Sequence, residues 1–416
     1  MTNASIITIG DELLIGQVID TNSAWMAQEL NRVGIWVKRR VAVGDSRTEI
    51  WKALDEESLA SDIILITGGL GPTADDITKP LLSEYFNSPL LVNKAALENV
   101  RHIFENILRR PVSERNLKQA EVPGSCKVIQ NKRGTAPGML FEKKGKIFVS
   151  MPGVPHEMKG MMSEEVIPFL QASFKTASIV HRTILTAGVG ESDLADHIRT
   201  FESALPENIR LAYLPSYGMV RLRLTGTGND SALIQPETDA RFSQLKELVK
   251  QWMVTDEDIS LQEVLGKLLK SRRQTMSTAE SCTGGYAAHL ITSIPGSSAY
   301  FTGGLIPYQN NIKEKALQVQ AETLSTSGAV SEETVREMII GALNLFGSDY
   351  ALATSGIMGP DGGTETRPVG TVWIAAGNRR SMETRKLSLR FDRQRNIELT
   401  AANVLNLLRK FILSNP

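Results

Sequence analysis

Apolar and polar positions along this chain fall into short apolar runs, each closed by a cluster of turn-forming residues. Residues 5–9 form one such run and end in Gly10-Asp11-Glu12. Residues 62–67 form a second, fully apolar but for its ends, and run into Gly68-Gly69-Leu70-Gly71-Pro72-Thr73-Ala74-Asp75-Asp76. Between them, Ser46-Arg47-Thr48-Glu49 has the spacing of a capping box and predicts a helix to about Ala60. A further helix is predicted around residues 79–86. Strands alternating with helices in this way predict a mostly parallel sheet covered on both faces. Residues 180–186 and 220–225 read as strands, and 192–204 and 239–252 as helices. Residues 226–231 and 254–258 read as linkers, dense in turn formers and in acidic residues respectively. Past residue 255 the alternation resumes, with a strand at 275–279 and a helix opening at 285–291.

The turn between those last two elements reads Thr278-Ala279-Glu280-Ser281-Cys282-Thr283-Gly284-Gly285. A strand-to-helix turn presents backbone N–H groups and the positive end of a helix dipole, a setting that suits a developing oxyanion. Ser281 is the candidate nucleophile there, and a serine hydroxyl needs a base. The chain has five histidines, none in a Gly-rich turn of this half. Lys313, in Tyr308-Gln309-Asn310-Asn311-Ile312-Lys313, could act as that base if desolvated. Two plainer readings stand beside this one: Ser281 as a helix cap with Lys313 as a solvated charge, and Cys282 as either rival nucleophile or small buried apolar residue. Further Gly-rich turns follow at 295–298, 301–304, 328–331, 353–363 and 367–372, as in an α/β domain that gathers loops at one sheet edge.

In the first half, Gly68, Gly69 and Gly71 would let the backbone approach a ligand. Asp75 and Asp76 stand at a helix start, where a dipole favours acids in any case. Yet Asp11 and Glu12, and Asp45 after Gly44, also follow apolar runs. Carboxylates gathered at one sheet edge could hold a hard divalent cation, whose bound water could attack a diphosphate.

Length, at 416 residues, implies two or three domains. Composition is that of an ordinary globular protein, 42% apolar and 22% charged. With 46 basic and 46 acidic side chains, the balance gives no electrostatic reason to expect nucleic acid or an anionic membrane as partner. Two cysteines in separate segments fit a reducing compartment. The first residues carry no basic n-region and no run reaches membrane-span length, so the expected location is the cytoplasm.

Residues 261–408, with the motifs just quoted, resemble the nicotinamide-nucleotide amidohydrolase (PncC-type) domain. The resemblance implies hydrolysis of nicotinamide mononucleotide to nicotinate mononucleotide and ammonia. Ser281 would be the nucleophile and Lys313 the base, with Tyr308 and Ser355 as pocket hydroxyls. Thr283, Gly284, Gly285, Gly303, Gly356 and Gly359 would line the substrate, and Arg393 or Arg395 would hold its phosphate. Met358 stands where that family usually has alanine, beside the expected pocket. No cofactor is implied for this domain.

Gly10-Asp11-Glu12, Asp20-Thr21-Asn22-Ser23, the 68–76 loop with Thr78, Gly134-Thr135-Ala136-Pro137-Gly138 and the run from Met151 to Met158 resemble the N-terminal domain of the CinA family. With the amidase-like segment, nearly the whole chain is similar to a full-length CinA protein. That resemblance implies an α/β chain of three parts. The first is a molybdopterin-binding-like three-layer α/β domain over residues 1–172. A small α+β domain of KH type follows over 173–255, and an α/β amidohydrolase domain over 256–416. It also implies ADP-ribose pyrophosphatase activity with Mg, Mn or Co. Asp75 and Asp76 would be the working carboxylates, and Asp11, Glu12 and Asp45 would join them as metal ligands. Asn22, Gly68, Gly69, Gly71, Gly134 and Thr135 would shape the nucleotide site. A homodimer is expected on the same ground. The middle segment has no Gly-x-x-Gly loop with basic neighbours, so RNA binding is not inferred. Two other functions remain: a non-catalytic nucleotide or pterin sensor, and a competence or DNA-repair accessory. A retained nucleophile–base pair speaks against the first, and zero net charge against the second.

Overall fold

The computed structural model describes residues 2–73 and 76–415. These divide into two compact units, one of residues 1–180 with 226–236 and the other of residues 181–225 with 237–416.

In the first unit the apolar runs become the centre of a six-stranded sheet. Its order is Trp36–Val43, Asn3–Ile9, Ile63–Thr67, Lys146–Met151, Gly138–Lys143 and Lys127–Ile129. Neighbours among the first four strands run parallel, and the last two are antiparallel additions. Period-two alternation sends Ile6, Leu65 and Val149 to one face and Ile7, Ile64 and Phe148 to the other. Helix Thr21–Arg32 packs on the first face through Met26 and Leu30, and helix Arg47–Ala60 on the second through Ile50 and Leu54. The expected three-layer α/β arrangement is therefore present.

The capping box expected at Ser46 does not form. Ser46 Oγ pairs with Thr48 Oγ1, and Glu49 turns back to accept from the Gly44 amide. A capping box does form at Ser260, whose hydroxyl accepts from the Glu263 amide while its own amide donates to the Glu263 carboxylate.

In the middle segment a four-stranded sheet runs Ile209–Ser216, Met219–Gly228, Ser178–Ala187, Met253–Thr255. The turn formers at 226–231 are no linker: they finish the strand Met219–Gly228 and open the helix Ser231–Val249. That helix carries Pro236 in its interior, which is why the sequence suggested a later start.

The C-terminal sheet runs Phe301–Leu305, Met276–Glu280, Tyr350–Gly356, Thr371–Gly377, Met382–Ser388. Its first three strands are parallel and its last two antiparallel. Helices Leu261–Arg272 and Arg393–Ser414 cover one face, and Glu332–Phe346 the other. The core does not stop at residue 255: Leu185, Ala187 and Val254 share one apolar cluster with Leu261, Leu265 and Phe411. Among the described residues no helix is long and apolar enough to cross a membrane.

Candidate functional site

The strand Met276–Glu280 delivers Ser281 to the sheet edge, where its amide extends the ladder by donating to Thr354 O at 2.9 Å. Lys313 comes from helix Asn310–Leu317 and is 1% exposed, although its helix is largely polar. Its Nζ lies 3.1 Å from Ser281 Oγ, 2.8 Å from Pro307 O and 3.2 Å from Tyr308 O. Burial lowers the Lys313 pKa below that of an ordinary lysine. Both plainer readings of this pair fall: Lys313 is no solvated charge, and Ser281 makes no side-chain cap on helix Tyr286–Thr292. Cys282 is also set aside as a nucleophile, because burial pushes its thiol up to about 12.

Glu280, which the sequence reading passed over, is fully buried beside Ser281. Its Oε2 accepts from Thr283 Oγ1 at 2.8 Å and the Ala287 amide at 2.9 Å, and its Oε1 from the Ala288 amide at 2.8 Å. The helix-start amides expected to meet an incoming anion are thus already taken by a side chain of the protein itself. Thr283, expected to touch substrate, spends its hydroxyl on Glu280 and on Thr354 Oγ1, 2.8 Å away. The one signal for Glu280 was its place, an acid at the last strand position before a double glycine. Gly284 and Gly285 take φ of 61° and 93°, a region where only glycine is unstrained.

Arg393 donates to Gly359 O at 2.8 Å and to the Tyr308 hydroxyl at 3.1 Å. Tyr308 therefore meets Arg393 through its hydroxyl and Lys313 through its carbonyl. Arg395 is placed differently, stacked on the Phe391 ring with its guanidinium 4.2 Å from the centroid. Ser355 donates to Ala329 O at 2.6 Å, so its hydroxyl ties the 328–331 loop rather than standing free in a pocket. Gly303 is distant from the turn along its strand, paired with Ser277, and the Phe346 ring fills the space a side chain would need. Gly356 ends its strand against Val372. Met358 is buried in the apolar core cluster that also holds Cys282.

In the first unit Asp11 and Asp45 come together, but each carboxylate accepts the other's backbone N–H at 3.1 Å. Asp76 closes its own loop, accepting from the Gly71 amide at 2.8 Å and the Thr73 amide at 2.9 Å. The Glu12 carboxylate lies over Gly10. Asp75 lies outside the described residues. Among the described residues no three acidic, histidine or cysteine side chains converge, and the expected metal-holding set of Asp11, Glu12, Asp45, Asp75 and Asp76 includes one member that lies outside them. Asn22 donates to Gly153 O at 2.7 Å, and Gly153 lies against Gly68. Beside these, Asn22 Oδ1 and Thr78 Oγ1 are buried with no hydrogen-bond partner among the described residues, and Thr78 Oγ1 fills the space above Gly69. Gly71 is bound up with Asp76, while Gly134 is covered by the Glu157 carboxylate and Thr135 follows it in the same loop. Lys79 is the basic residue nearest this loop in sequence, and its amine donates to Gln119 O at 2.9 Å.

Fold and site together define a chain that joins a molybdopterin-binding-type α/β domain to an α/β domain with a buried Ser–Lys pair. Residues 5–172 match the probable molybdopterin binding domain, 181–254 the damage-inducible protein CinA KH domain, and 258–412 the CinA C-terminal domain. The chain is 46% identical to a CinA-like protein of Cytophaga hutchinsonii, over 98% of this chain and 97% of that one. It is 42% identical to a CinA-like protein of Flavobacterium psychrophilum, over 99% of both. A putative competence-damage inducible protein of Halothermothrix orenii is 38% identical over 98% of each chain. This chain belongs to the CinA family.

Proposed function

We propose that the C-terminal domain is a serine amidohydrolase that converts nicotinamide mononucleotide to nicotinate mononucleotide and ammonia. The observation that carries this reading is the bonding of Lys313. A neutral amine has two N–H donors and one lone pair. If the donors serve Pro307 O and Tyr308 O, the lone pair is left for the Ser281 hydroxyl, 3.1 Å away. Burial favours that neutral form.

The chemistry then runs in two halves. Ser281 Oγ attacks the carboxamide carbon as Lys313 takes the hydroxyl proton. The tetrahedral adduct collapses with C–N cleavage, and the Lys313 proton leaves on the amine as ammonia. Water attacks the acyl-enzyme, giving up a proton to Lys313, and the carboxylic acid departs as the proton returns to Ser281. We assign the substrate phosphate to Arg393 rather than Arg395, because Arg393 reaches the hydroxyl of Tyr308, whose carbonyl accepts from Lys313. Purified protein incubated with nicotinamide mononucleotide should release ammonia, and Ser281→Ala should not. Equal release from both would overturn the assignment.

The first unit supports a second activity-neutral reading, that its loops bind the nucleotide ADP-ribose. The buried oxygens of Asn22 and Thr78 beside Gly68 and Gly69, which have no partner among the described residues, favour a ligand there, because such atoms cost roughly 1–3 kcal/mol each when left without a partner. Calorimetric titration with ADP-ribose should give binding that Thr78→Val weakens. Unchanged affinity in that variant would remove this reading.

A further inference from the structure

Glu280 is fully buried, yet among the described residues no cation pairs with it. A buried carboxylate without a counter-ion is costly, and here only hydrogen-bond donors offset the cost. All its donors, Thr283 Oγ1, Ala287 N and Ala288 N, belong to the segment that leaves Ser281. That segment contains Gly284 and Gly285, both at positive φ, and a double glycine has more backbone freedom to lose than any other pair. The carboxylate therefore straps the far side of the turn back onto the residue that precedes Ser281. Thr283 carries the strap one step further, to Thr354 on the neighbouring strand, and the same Thr354 accepts the Ser281 amide on its carbonyl. Ser281 is thus held from two directions, neither of which touches its hydroxyl.

We propose that Glu280 is a positioning residue for Ser281: its buried carboxylate fixes the 281–288 turn in the geometry that keeps the Ser281 hydroxyl on the Lys313 amine. This rests on the amidohydrolase reading for its substrate, but not for its test. Glu280→Gln keeps the shape and replaces one acceptor oxygen with an NH₂ group that faces donors, so the turn must shift. A misplacement of about 1 Å at the reacting atom costs about 10²-fold in rate.

The full-length protein would be read in two ways: by turnover of nicotinamide mononucleotide, and by the rate at which a fluorophosphonate labels Ser281. The label reports an activated serine whatever its natural substrate. Active sites would be counted by labelling to completion. Glu280→Gln should lower both kcat per titrated site and the labelling rate by about 10²-fold, with KM within about twofold and the pH midpoint of labelling unchanged because Lys313 is intact. A merely structural role would instead lower the number of titratable sites and leave each at the wild-type rate, and that result would overturn the proposal. If the wild type labels but hydrolyses no nicotinamide mononucleotide, the substrate assignment fails and the labelling rates still decide the role of Glu280. If Glu280→Gln does not fold, Thr283→Val removes one donor and should slow labelling about tenfold, the worth of one hydrogen bond. Labelling of Thr283→Val at the wild-type rate would also overturn it.

Discussion

A lysine amine can serve a serine hydroxyl only while its lone pair is free, and at Lys313 burial favours that state. Because the neutral amine is the working form, turnover should rise with pH along a limb whose midpoint lies below that of an ordinary lysine. Lys313→Met should abolish that limb and lower kcat by about 10²–10⁴-fold, as measured by ammonia release across pH. Lys79 offers a test in the other unit. Burial lowers its pKa to about 8, and it is 9% exposed. An unfolded lysine titrates at about 10.4, so between those values the unfolded chain binds the extra proton and folding gains stability as pH rises. The gain is about 3 kcal/mol, complete above the unfolded value and lost as pH falls to about 8. Denaturant titrations should show that slope in the wild type and a flatter one in Lys79→Met. At this scale the sequence yielded Ser281 and Lys313 as chemistry but not Glu280, since an acid beside a Gly-rich turn gives no sign that it will be buried.

Elements were legible where one physical signal dominated. The apolar runs at 5–9 and 62–67 are central strands, because a strand covered on both faces has no polar side to show. Helix starts were less legible, since several side chains compete for the same few amides. Ser46 had the right spacing, but Thr48 and Gly44 drew its partners away, whereas Ser260 and Glu263 close on each other. The contrast is measurable. Ser260→Ala should cost about 1 kcal/mol in thermal or denaturant unfolding. Ser46→Ala should cost much less, because its hydroxyl caps no helix amide. The acidic residues after the strands were legible as a group but not as a geometry. Asp11 and Asp45 each accept the other's backbone N–H, a pairing that spacing along the chain does not announce.

For the whole molecule, the order of strands and helices predicted layered α/β domains, and the two parallel-centred sheets bear this out. Side-chain packing across residue 255 was not legible, because a shared core leaves no mark on the composition of the segments that build it. Leu185 is 4% exposed within the cluster that also holds Leu261 and Cys282. Leu185→Ala should cost roughly 2–5 kcal/mol. It should also lower the temperature at which fluorophosphonate labelling of Ser281 is lost, although the substitution lies in another sheet.

That common cluster carries a consequence for breathing motions of the native state. Segments that bury one core open together, as a single cooperative unit. The amide of Ala187, which donates to Trp252 O, should then exchange with solvent deuterium about as slowly as the strand amides that flank Ser281. A tight ligand on the serine should slow both to the same degree, so that the small sheet registers what the larger one has bound.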